Sequence, residues 1–179
     1  MPNRKIIVNA GTSADGFIAR PDGDIDWLTS RPKLAGFYDM GKFTASIDTK
    51  ILGRKTFDKS LSLGVKFDGT TKTYVYSTHL PATAVAGVEF VSQPIDSFAQ
   101  RLRAAPGRNI WMMGGGGVIA SFLDAGAIDE LIISVVPVLI GEGIPLIAPR
   151  HRHMQLELLS SRQFEDGVVQ LHYGVITTP

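Results

Sequence analysis

The sequence predicts an α/β protein: a mainly parallel central sheet, helices on both faces, and an antiparallel hairpin at the C-terminal end. Three observations predict it. Short apolar runs bounded by glycine alternate with segments of helical periodicity across the 179 residues. Residues 130–139 (ELIISVVPVL) are almost continuously apolar, as a strand covered on both faces must be. Residues 154–164 and 168–176 are extended runs on either side of the turn sequence Glu165-Asp166-Gly167. No repeat, low-complexity tract or linker divides the chain, so residues 1–179 read as one domain.

The first strand is residues 5–10 (KIIVNA), an apolar run that breaks at Asn9 and ends at Gly11; it is expected to be central. Residues 11–27 then form a long structured loop. Asp15-Gly16 and Asp22-Gly23 are turn dipeptides and Pro21 blocks continuation, while Phe17, Ile18, Ile25, Trp27 and Leu28 anchor it. Residues 34–47 have helical spacing, with Leu34, Phe37, Tyr38 and Met40 on one side; Gly41 weakens that helix by about 1 kcal/mol relative to alanine. Residues 50–52 make a short strand that runs into Gly53-Arg54-Lys55-Thr56, and residues 56–61 a short helix. Residues 73–77 (TYVYS) and 88–91 are further strands. Pro94 opens a helix that buries Ile95, Phe98, Ala99 and Leu102, and Pro106-Gly107 ends it. Pro137 marks an edge or a strand end in the long apolar run.

The chain is organised around residues 110–123, IWMMGGGGVIASFL. Apolar residues lead into four consecutive glycines, and Val118, Ile119, Phe122 and Leu123 then fall on one helical face. A strand, a glycine turn and a helix follow one another. Glycine lets a ligand approach the main chain, and the helix start offers unpaired N–H groups and a positive dipole end. This is a phosphate or pyrophosphate cradle.

Composition narrows the rest. A net charge of +1 gives no general affinity for nucleic acid or an anionic membrane. With no cysteine, disulfides, thiolate nucleophiles and zinc–thiolate sites are excluded, and a reducing cytoplasm is the expected home. The apolar start at residues 6–8 is too short for a signal sequence. His151 and His153 flank Arg152 without nearby acids, so no metal site is expected.

Ligands of an open α/β sheet gather at the carboxyl ends of its strands. Four loops leave those ends: residues 11–27, 53–56, 77–80 and 114–117. Arg54 offers a planar fork for phosphate, Lys55 a second cation, Thr56 a hydroxyl that also caps the next helix, and Ser77 and Thr78 further hydroxyls. A basic pocket beside a separate glycine cradle suits NADPH. The usual dinucleotide fingerprint is absent, because Val118 interrupts the glycine pattern and Asp129 and Glu130 begin the next strand instead of ending it.

The residues in this order resemble the dihydrofolate reductase-like superfamily. Within it the chain is similar to the C-terminal reductase domain of the bifunctional riboflavin-biosynthesis deaminase–reductase. The matching pieces are the TSADGFIA segment (12–19), GDIDW (23–27), ILGRKTF (51–57), IWMMGGGGVIASFL (110–123), and IDEL (128–131) through Pro137 to Gly141-Glu142-Gly143. The resemblance implies the three-layer dihydrofolate reductase-like fold, NADPH as hydride donor, and a small heterocyclic substrate. That substrate is a pyrimidine such as 5-amino-6-(5-phosphoribosylamino)uracil or a pterin of dihydrofolate type. It implies that Gly114, Gly115, Gly116, Gly117 and Val118 meet the pyrophosphate, with a cis peptide between two of the glycines. Gly53, Arg54, Lys55, Thr56, Ser77 and Thr78 surround the adenosine phosphates, and Ala10, Ile18 and Ile119 lie by the nicotinamide. Two departures stand out. Phe37 occupies the position of the pterin-binding acid, and Met113 that of the glutamate before the glycine run; both are carried as substrate-binding positions, with Trp27. Asp15 and Asp26 remain as candidate catalytic acids. The resemblance also implies a homodimer, built on residues 130–139 and the C-terminal hairpin. The missing acids keep open a second class, a catalytically silent nucleotide-binding sensor or interaction module.

Overall fold

A computed structural model describes residues 4–31, 38–67, 69–79 and 85–176. The chain begins with β1 (Ile6–Ser13), β2 (Phe17–Ala19), α1 (Asp26–Thr29) and α2 (Met40–Ala45). It continues with β3 (Ile47–Gly53), α3 (Arg54–Ser62), β4 (Lys72–Tyr76), β5 (Val88–Val91) and α4 (Ile95–Ala104). Next come β6 (Asn109–Gly114), α5 (Gly116–Asp124), β7 (Glu130–Val136), β8 (Ile144–Pro145), β9 (Gln155–Gln163) and β10 (Val169–Ile176).

Among the described residues eight strands form one sheet in the order β5-β4-β3-β6-β1-β7-β10-β9. The first six are mutually parallel, and β10 and β9 add antiparallel. β1 is interior, as its apolar run requires. Alternate residues of each strand face opposite sides of the sheet. On one side Ile6, Val8, Ile51, Ile110 and Met112 meet Phe98 and Leu102 of α4 and Ile119 and Phe122 of α5. On the other, Ile7 and Ile47 meet Phe43 of α2, while Leu52 and Val75 meet Phe57 of α3. The sheet is thus the middle of three layers.

α5 is only 9 residues long and carries no side-chain cap. A helix that short is marginal by itself. Burial of Ile119, Phe122 and Leu123 holds it, at about 1.5–3 kcal/mol for each full side chain.

Several expectations are corrected. The helix expected over residues 34–47 is described only as α2. Tyr38 and Asp39 just before it have φ of 56° and 59°, a left-handed backbone that breaks helical geometry. Phe37 lies outside the described residues. β1 runs on to Ser13, because Thr12 and Ser13 keep pairing with Val135 and Val136. The loop over residues 11–27 contains the strand β2, which pairs with β8. Pro137 follows directly on β7, which therefore ends there and is no edge. β7 is paired on both sides, by β1 and β10, and the outer strands of the sheet are β5 and β9. Among the described residues no peptide is cis, the glycine run included. Among the described residues, too, no helix is long and apolar enough to cross a membrane.

Candidate active site

Parallel pairing lines up the carboxyl ends of β4, β3, β6 and β1. Gly53 is in register with Tyr76, and Leu52 with Gly114. Each of β3 and β6 turns straight into a helix at that edge: α3 begins at Arg54 and α5 at Gly116. The two helix starts are in contact. A Cβ on Gly53 would stand 2.9 Å from Val118 Cγ2, and one on Gly115 would stand 3.4 Å from Gly53 Cα. Neither helix has a side-chain cap, so the amides of both first turns lack an intrahelical acceptor and share one mouth. Two positive dipole ends therefore converge there.

The four glycines serve different ends. Gly115 has φ 103°, a conformation that side chains of L-residues rarely adopt. A Cβ on Gly116 would collide with the Pro145 carbonyl, and the Gly116 carbonyl accepts from Ala148 N at 3.0 Å. Gly114 lies against the Thr56 methyl, where a Cβ would sit at 3.6 Å. Gly117 is exposed, and a Cβ there would meet no atom within 4 Å. Gly117 thus leaves open space directly above free amides, which is the shape a phosphate cradle needs.

Cations and hydroxyls flank this mouth. Arg54 Nε donates to both carboxylate oxygens of Asp58 at 2.9 Å, and its guanidinium lies 5.8 Å from the Phe90 ring centre. Lys55 is exposed. Thr56 sits inside the first turn of α3 and is not its cap, because the helix starts two residues earlier than expected. Its hydroxyl oxygen is 3.2 Å from the position of a Gly115 Cβ. Ser77 is the residue after β4, which puts it beside Arg54 across the β3–β4 pair. The Ser77 hydroxyl is bonded to the backbone of His79, and the Thr78 hydroxyl to the His79 ring.

Ala10 and Ile18 are half-buried and pack against the α4–α5 side of the core. Ile119 is corrected: it is 0 % exposed, so no ligand can touch it, and its place is beneath α5. Met113 packs with Leu52, Phe57 and Val75 under α3. Trp27 is buried with Tyr38, Val136 and Val168 at the carboxyl end of β7, an anchor for its loop.

Asp15 and Asp26 do not come together. The Asp15 carboxylate accepts from Gly141 N at 2.8 Å and from Ile140 N at 3.2 Å. The Ser13 hydroxyl, with those amides, holds its carboxyl below the usual carboxylate range. Asp26 is paired with Arg20 at 2.7 Å, and that guanidinium lowers its pKa also. Both shifts keep the carboxylate ionised at neutral pH, the opposite of what a general acid requires.

Sequence reading missed a brace. Ala14 N donates to Val138 O, Leu146 N to Gly16 O, and Ala148 N to Gly116 O. Residues 138–148 thus tie the loop after β1 to the glycine turn. Gly143 is part of it, since a Cβ there would run into the Ala19 carbonyl. Only a turn was legible at Gly141 and Gly143.

Also missed is an open, shallow pocket of about 240 Å³ on the α2 side of the sheet, lined by Asn9, Tyr38, Asp39, Lys42, Phe43, Ile132 and Gln170. The signal was Asn9, a polar residue inside an apolar strand.

These features agree with what comparison with known proteins finds. Residues 4–170 match the model of the RibD C-terminal domain. The chain belongs to the RibD C-terminal domain family. It is 38% identical over 173 residues to the uncharacterized protein YwjB of Bacillus subtilis (strain 168), covering 95% of this chain and 97% of that one. A protein from Shewanella sp. PV-4 named for riboflavin biosynthesis has the same fold with a TM-score of 0.81 and 28% identity, over 97% of this chain and 99% of that one. Dihydrofolate reductase from Enterococcus faecalis, solved with NADP(H) and RAB-propyl, superposes with a TM-score of 0.67 at 16% identity, over 96% of both chains. The fold is therefore dihydrofolate reductase-like, and the family is reductase-like.

Proposed function

We propose that this chain is an NADPH-dependent reductase that delivers hydride to a small heterocycle, a pyrimidine or a pterin. One observation carries the reading: two uncapped helix starts meet across Gly53 and Gly115, with open space over Gly117 and a guanidinium at the flank. NADPH carries a pyrophosphate and a further phosphate, and this mouth offers separate fittings for each. The amides at Gly116, Gly117 and Val118 hold the pyrophosphate. Arg54, Lys55 and Thr56, with Ser77 and Thr78, hold the adenosine phosphates. Ala10 and Ile18 form the apolar side of the nicotinamide site.

When bound, the cofactor would supply the hydride; the chain supplies its position. Asp15 fixes the loop after β1 onto residues 140–141, and the brace keeps that loop against the glycine turn. With Asp15 and Asp26 held ionised, the proton that completes the reduction comes from solvent water. The same observation favours a second reading, a nucleotide-binding module without turnover, since neither carboxyl is set up to donate. Mixing the protein with NADPH and a panel of oxidised pyrimidines and pterins, and following loss of NADPH absorbance, separates the two. Turnover with one class supports the reductase. Saturable binding without oxidation of NADPH by any of them supports the module.

We also propose a homodimer. β9 is an open edge with exposed Leu156, Leu158 and Leu159. Sedimentation of wild type and Leu158→Glu tests it: a dimer that the substitution dissociates is expected, and a monomeric wild type contradicts it.

A further inference from the structure

An open groove of about 470 Å³ lies between α4 and the turn that follows α5. Its floor is small: Ala99 and Ala127 are each 2 % exposed, and Ala104 and Ala125 stand at its sides. Gly126 makes the shape. Its φ of 60° lets Gly126 N donate to Leu123 O and Ala127 N to Phe122 O, which ends α5 and sets Ala127 against α4. α5 starts at the cofactor mouth and spans 9 residues, so this end of the groove lies about 14 Å away, at the amino edge of the sheet.

One wall is polar. Asp96, Gln100 and Arg103 follow at helical spacing along the same face of α4. Arg103 Nη2 donates to Ala127 O at 3.1 Å and to both oxygens of Asp129, at 3.0 and 2.9 Å. Asp129 is itself fixed by Ile6 N at 2.6 Å. The guanidinium is therefore held in place by one nitrogen only. Its Nε is buried without a partner, and its Nη1 has none among the described residues. Asp96 and Gln100 make no side-chain bond among the described residues either. Other helix charges are paired: Arg54 with Asp58, and Arg101 with Glu89 at 3.5 Å. Asp96 and Arg103 do not pair with each other, and seven residues of helix set them about 10.5 Å apart.

We infer that this groove binds a short peptide with both ends free: its ammonium at Asp96, a peptide group at Gln100 and its carboxylate at Arg103 Nη1. An extended chain of three residues spans about 10 Å, which matches the separation of the two charges along α4. The Gln100 amide carries a donor and an acceptor and suits a peptide group. Bonds from a guanidinium to a carboxylate are charge-assisted, and Asp129 already holds this guanidinium in position, so little ordering is lost on binding. The alanine floor has no deep hole for a large side chain, so the main chain is what is read. A simple anion meets Asp96 as well as Arg103, and a simple cation meets the reverse. Only a molecule with both charges at this spacing finds a partner at each end. The assignment does not rest on the reductase reading.

The test uses the whole chain, ¹⁵N-labelled, titrated with trialanine, with its N-acetylated form and with its C-terminal amide. Trialanine is expected to give saturable signal shifts at Ala99, Gln100 and Ala127 and none at Gly115 or Gly117. Each blocked peptide is expected to bind about tenfold more weakly, as for one lost charge-assisted hydrogen bond. Asp96 is exposed, so Asp96→Asn keeps the fold. That variant is expected to bind trialanine and its acetylated form alike, while still preferring the free carboxylate to the amide. Absence of saturable shifts at millimolar trialanine overturns the assignment. So does a blocked peptide that binds wild type as well as the free one, or an Asp96→Asn variant that keeps the preference for the free ammonium.

Discussion

Thr56 and Gly115 face each other between two helix starts: a Cβ at residue 115 would stand 3.2 Å from the Thr56 hydroxyl oxygen. That closeness makes one mouth out of α3 and α5, which follow different strands. It also separates the glycines of the run into those the fold needs and one that it does not.

Gly117→Ala adds a methyl group where no atom lies within 4 Å. Alanine is the better helix former by up to about 1 kcal/mol, so thermal stability is expected to hold or rise slightly. NADPH affinity is expected to fall about tenfold or more, because the methyl stands over the amides. Gly116→Ala is expected to act on the fold instead, by about 1–3 kcal/mol, since its Cβ meets the Pro145 carbonyl. Calorimetry for binding and thermal melts for stability read the contrast. Unchanged affinity in Gly117→Ala would count against the cradle.

Arg54→Ala is expected to weaken NADPH much more than NADH, with the loss concentrated at low salt. Asp58 competes for the same guanidinium, through two contacts at 2.9 Å. Asp58→Asn is therefore expected to tighten NADPH a few-fold and leave NADH nearly unchanged. Equal effects on both cofactors would remove Arg54 from the extra phosphate.

Asp15→Ala is expected to loosen the clamp between the loop after β1 and residues 140–146. Hydrogen exchange at the amides of Ile140 and Gly141 is the readout, and faster exchange there is the expected result. If exchange is unchanged, while turnover is lost with an altered pH profile, Asp15 acts chemically after all.

Glu130 gives a pH signature. It is buried; desolvation pushes its carboxyl up, but hydrogen bonds and charge from Lys5 and His172 outweigh that and leave it below the usual glutamate range. A folded pKa below the unfolded value, about 4.3, means stability that is present above that value and lost as pH falls through the folded one. Glu130→Gln is expected to cost about 1–3 kcal/mol at pH 7, with the gap to wild type closing toward pH 3. Urea unfolding across that range tests it, and a gap independent of pH contradicts it.

Much of this was legible in sequence for a physical reason. Period-two and helical spacing record which face is buried, so the strands at Ile110 and Glu130 and the helix carrying Phe98 and Leu102 were visible. Four glycines between a strand and a helix announced a backbone that must be approached. Contacts made at long range were hidden. Nothing local ties Asp15 to Gly141, or Pro145 to Gly116. Ile119 read as a cofactor neighbour by alignment, yet helical phase turns it into the core. Asn9 was visible as a break in an apolar strand, but the residues that share its pocket come from three other segments.

The most direct measurement is a calorimetric titration of the wild-type chain with NADPH, and with NADH beside it. The account predicts saturable binding of one cofactor per chain, at least about tenfold tighter for NADPH, a difference of about 1.4 kcal/mol. No heat with NADPH up to millimolar concentration would contradict it.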